Sequence, residues 1–73
     1  MIELEKTFMY NGKEYRIINI NEKKSRINIE PIGEEIIFPE INERIEIENI
    51  LFKVIYVNSG RKRITIEPIK KGA

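Results

Sequence analysis

The chain has no Cys, His, Asp, Gln or Trp among its 73 residues. Without Cys no disulfide braces the fold and no thiolate zinc site forms. Without His or Asp, Glu alone makes a poor metal cage, so neither metal nor cofactor is expected. General acid–base and nucleophilic catalysis draw heavily on the same missing side chains, and a non-enzymatic protein follows as the expectation. No apolar run approaches the roughly 20 residues of a membrane helix. Residues 1–6 alternate charged and apolar side chains, unlike a signal peptide. The lack of Cys fits a reducing cytoplasm.

What is present must therefore stabilise the fold by apolar packing or by association with a partner subunit. At 8.7 kDa the chain makes one domain near the lower size limit for independent folding. Ile dominates the apolar residues, and β-branched side chains favour strands. The charged 34% consists of Glu, Lys and Arg alone. A profile rich in Lys and Glu and poor in labile side chains is that of hyperthermophile proteins and points to a thermophilic, archaeal source. An AT-rich genome yields the same Ile, Lys, Asn and Glu.

The strongest pattern is a repeat. Arg26-Ile27-Asn28-Ile29-Glu30-Pro31-Ile32 returns as Arg63-Ile64-Thr65-Ile66-Glu67-Pro68-Ile69. Further identities at the same offset are Ile18 with Ile55 and Asn21 with Asn58, and Tyr15 with Phe52 is a close match. Shared strand patterning produces apolar matches readily, but not Asn, Arg and Glu-Pro in one register. Fixed-period similarity of this kind is the signature of duplication. The units run about 6–32 and 44–69, with a connector at 33–43 and a tail at 70–73.

Each unit reads as three strands. Alternating apolar residues from Ile2 to Tyr10 make the first, and Asn11-Gly12 makes a type I′ hairpin turn. Residues 15–20 are apolar on both parities, which requires two covered faces or a bulge that switches the face. Residues 26–30 alternate cleanly, Pro31 ends ladder donation, and a bend there would return Ile32 to the core. In the second unit the turn equivalent to Asn11-Gly12 falls at Asn49-Ile50. The connector segment 34–39 fits either a short extra strand or a single helical turn. Six short antiparallel strands in two tandem three-stranded repeats imply an all-β fold, a small six-stranded barrel with pseudo-two-fold symmetry. Its expected interior is Phe8, Tyr15, Ile17, Ile27, Ile29, Ile45, Phe52, Val54, Ile64 and Ile66.

Tyr15-Arg16-Ile17-Ile18-Asn19-Ile20, its basic turn and Arg26-Ile27-Asn28-Ile29, together with the second copy, resemble the strand–turn–strand of SH3-like small barrels. These include KOW-type and Tudor-type modules of transcription and translation proteins. The resemblance implies binding to nucleic acid or protein and transfers no site residue.

Charge is unevenly placed although the net value is only +1. Two basic clusters occupy equivalent hairpins: Lys23, Lys24 and Arg26, and Arg61, Lys62 and Arg63. Such loops attract phosphate, and Tyr56 offers a ring for base stacking. These seven residues form the expected nucleic-acid contact; equally, hairpin tips carry Lys as a solvated guard against edge pairing. The acidic centre supports a second expectation, a protein-interaction or self-association surface of Glu34, Glu35, Ile36, Ile37 and Phe38. The same segment also fits a plug for one barrel end. Glu30 and Glu67 stand at equivalent outward positions, where a surface ion pair with Arg26 or Arg63 is a better reading than a catalytic carboxylate dyad.

Overall fold

The structure, a computed structural model, describes residues 2–34 and 36–69. Six strands form one antiparallel sheet: β1 Thr7–Tyr10, β2 Lys13–Asn21, β3 Arg26–Ile32, β4 Arg44–Ile47, β5 Ile50–Asn58 and β6 Arg63–Pro68. The order is β1-β2-β3-β6-β5-β4. The sheet curls until its end strands β1 and β4 approach each other, giving a nearly closed barrel. No helix among the described residues is long and apolar enough to cross a membrane.

The second half repeats the first at an offset of 37 residues in strand starts, register and turn geometry. In β2 the ladder slips between Ile17 and Asn19, and in β5 between Val54 and Tyr56. These bulges are how a strand apolar on both parities changes face. Positive φ recurs at Asn11 (53°) and Glu48 (50°), and at Gly12 (76°) and Asn49 (68°). The second hairpin turn is therefore Glu48-Asn49, one residue before the expected Asn49-Ile50, and Ile50 opens β5. The β3–β6 register is Ile27 with Ile66, Asn28 with Thr65 and Ile29 with Ile64. Exchanging the halves maps this register onto itself, so a pseudo-two-fold axis passes between Asn28 and Thr65. There Thr65 Oγ1 donates to Asn28 Oδ1 at 2.8 Å.

The interior matches expectation except at Ile47 and Phe8. Tyr15, Ile17, Ile27, Ile29, Ile45, Phe52, Val54, Ile64 and Ile66 are buried, joined by Ile47, while Phe8 is half-buried and packs against them. Phe8 stacks on Tyr15 with ring centroids 5.7 Å apart. Burying each such aliphatic or aromatic side chain contributes about 1.5–3 kcal/mol, and in a chain without Cys no disulfide adds to it.

Other expectations are corrected. β1 starts at Thr7 and not at Ile2, because Glu5 takes φ 69° and Lys6 N donates back to Glu3 O at 3.4 Å. The loop before β4 repeats this turn, with Asn42 at φ 73° and Glu43 N donating to Glu40 O at 3.0 Å. Pro31 does not end β3; it sits opposite Tyr15, and Ile32 pairs with Glu14. Ile32 stays half-buried outside the core, since the strand keeps its alternation through the proline. Residues 36–40 form neither strand nor helical turn. Glu35 and the tail at 70–73 lie outside the described residues.

Candidate nucleic-acid interface

Alternation turns Ile27, Ile29, Ile64 and Ile66 inward and therefore Arg26, Asn28, Glu30, Arg63, Thr65 and Glu67 outward. The flanking strands extend this outer face into three rows. Asn19, Asn28, Thr65 and Tyr56 cross β2, β3, β6 and β5 through the centre. One outer row holds Arg16, Glu30 and Arg63 and ends on Asn58; its two-fold image holds Lys53, Glu67 and Arg26 and ends on Asn21.

Glu67 meets two cations, Lys53 Nζ at 3.7 Å and Arg26 Nε at 4.0 Å. Glu30 lies 3.8 Å from Arg63 Nη1 and opposite Arg16 in the register. The ion-pair expectation for Glu30 and Glu67 thus holds, with Arg26 and Arg63 each reaching the carboxylate of the other half. Exposed pairs this long contribute about 0–1 kcal/mol each. Each row keeps a surplus cation after its carboxylate is counted.

The hairpin tips add more. Asn21 Oδ1 accepts from Lys24 N at 3.2 Å, and Asn58 Oδ1 accepts from Arg61 N at 3.1 Å. Each Asn closes its turn, which explains why both positions carry the same residue. Ser25 and Lys62 then take φ 53° and 55°. Because β3 and β6 run antiparallel, the tips project from opposite ends of the face. Lys23 and Lys24 are not brought to Arg61 and Lys62. They line an open groove of about 500 Å³ with Lys53, Glu67 and Pro68 from the other half. Arg63 Nη1 donates to Arg61 O at 3.3 Å, tying tip to row. Tyr56 stands on the same face, 53% exposed, its hydroxyl accepting from Asn58 Nδ2 at 3.3 Å.

Charge segregates with this geometry. Residues 16–30 and 53–67 carry eight Lys and Arg against three Glu, while the other described residues carry three against eight. A net charge near zero therefore conceals a molecule with a basic wall at β3–β6 and an acidic wall at the β1–β4 seam. Arg16 and Lys53 belong to the basic wall although sequence reasoning did not select them. Their signal was their place opposite Glu30 and Glu67 in the hairpin register, which needs the bulge to be located first.

At the seam, side chains join what the backbone ladder does not. The Tyr10 hydroxyl donates to the Glu43 carboxylate, and Lys6 Nζ meets Glu48 Oε2 at 2.9 Å. Burial, with the hydrogen bond to the Glu43 carboxylate adding to it, pushes the Tyr10 phenol up to about 12. Tyr15 is raised in the same direction, by burial and then by Glu43, and its hydroxyl donates to Ile37 O at 3.0 Å. Of the segment expected to contact protein, Glu34 and Ile37 are exposed and Ile36 is half-buried. Phe38 packs against the core, so it is no exposed anchor. Glu35 lies outside the described residues.

No family model matches the chain, and no curated protein or solved structure is found similar to it.

Proposed function

We propose that this protein is a small non-enzymatic binding module of the cytoplasm that holds nucleic acid by its phosphates on the outer face of β2, β3, β6 and β5. The observation that carries the reading is the separation of charge into a basic wall and an acidic wall. Phosphates laid on that wall release counterions, and Tyr56 offers a stacking surface beside them. The resemblance to KOW-type and Tudor-type modules supports the same reading, and the repeat is what duplication of a three-stranded unit leaves behind. Anisotropy titrations with single- and double-stranded oligonucleotides test it. Affinity should fall steeply with salt, and Ala at Lys23, Lys24, Arg61 and Lys62 should weaken it for every sequence alike. Absence of binding at low salt rejects the proposal.

The same charge separation favours a second reading, in which the acidic wall of one copy meets the basic wall of the next. Sedimentation at low salt should then give a mass above 8.7 kDa, and a monomer at every concentration would exclude it.

A further inference from the structure

We infer that the basic wall is matched to double-stranded DNA, with the pseudo-two-fold axis between Asn28 and Thr65 set on a dyad of the duplex. This rests on the nucleic-acid reading above and narrows it. The wall is its own image under exchange of halves: Arg26 beside Glu67 mirrors Arg63 beside Glu30. A ligand that engages both halves equally must carry a two-fold axis of its own. A duplex does, because its antiparallel strands are exchanged by dyads that emerge at the centre of each groove. A single strand has a direction and no dyad, so it meets one half in the wrong sense.

Spacing agrees. The rows of Arg26 and Arg63 are four residues apart along β3, since Arg63 is level with Glu30. At about 3.3 Å per residue that is roughly 13 Å, comparable with the roughly 12 Å width of a B-DNA major groove. Cations on the two rows can therefore reach phosphates on opposite lips of one groove. The neutral row of Asn28 and Thr65 lies over the groove between them. The tips lie outside the two rows, one past the Arg26 row and one past the Arg63 row.

The test uses a short self-complementary duplex and a non-pairing strand of the same length and composition, each titrated against the intact protein. The duplex is expected to bind at least about tenfold more tightly at equal salt. Arg26→Ala and Arg63→Ala should cause equal losses on the duplex, each lowering the salt slope by about one. Both arginines are exposed, and circular dichroism confirms that each variant is folded. Equal or tighter binding of the single strand, or unequal losses from the two substitutions, would overturn the duplex assignment while leaving nucleic-acid binding in place. No binding of either ligand would remove both.

Discussion

Tyr10 is the side chain whose protonation state bears most on the seam. Its phenol, ordinarily near 10.0, is held up to about 12 by burial and by Glu43. A raised folded-state value means the neutral phenol is favoured by the fold. That contribution is present in full below pH 10.0 and is lost as pH climbs through about 12. Tyr10→Phe deletes the titrating group, so urea unfolding at about pH 8 and about pH 11 should show a smaller alkaline loss in the variant than in the parent. Tyr15, raised in the same direction, supplies part of what remains. An identical pH dependence in both proteins would exclude Tyr10 as a source. A second prediction comes from comparing the halves. Glu5 and Asn42 occupy the same turn at φ 69° and 73°. Asn tolerates that left-handed conformation better than Glu, so Glu5→Asn should stabilise by about 0.5–1 kcal/mol. A urea midpoint unchanged or lowered would show that the exposed Glu5 side chain has another role.

Strands differ in how they are held. β2, β3, β6 and β5 have ladder partners on both sides, with β3 and β6 at the centre of the sheet, whereas β1 and β4 each have one and, among the described residues, meet through side chains. Amide hydrogen exchange should therefore be slowest in Ile27, Ile29, Ile64 and Ile66 and fastest in the seam-facing amides of β1 and β4. Equal protection in all six strands would indicate a closed backbone ladder. This hierarchy was legible in part from residues alone. The clean alternation of residues 26–30 and 63–67 fixed which side chains are interior, and the Asn11-Gly12 turn was readable from its dipeptide. The Glu48-Asn49 turn was not, because Glu is an unusual occupant of positive φ and only the register compels it there. Ile18 and Ile55 signalled a bulge without showing where the face switches, so Arg16 and Lys53 could not be assigned to the basic wall. Clusters at the tips were visible in sequence. Their separation to opposite ends depends on the antiparallel β3–β6 pairing, a long-range contact that local pattern does not encode.

The molecule as a whole is held together around a shared core to which both halves contribute, so it should unfold in one cooperative transition. The halves meet through a self-complementary register at Asn28 and Thr65 and through the side-chain seam. The chain passes from one half to the other between Ile32, at the end of β3, and Arg44, at the start of β4. That connection acts as a tether: it fixes the effective concentration of one half near the other, on the order of millimolar for a short connection. Cutting the chain there should leave the barrel assembled at high concentration but make its melting temperature fall on dilution, whereas the intact protein's does not change. A cut protein that melts independently of concentration would mean that one half folds alone. Because the interface is self-complementary, either half by itself has the surfaces to pair with its own copy, so an isolated half should collect as a homodimer with a true two-fold axis.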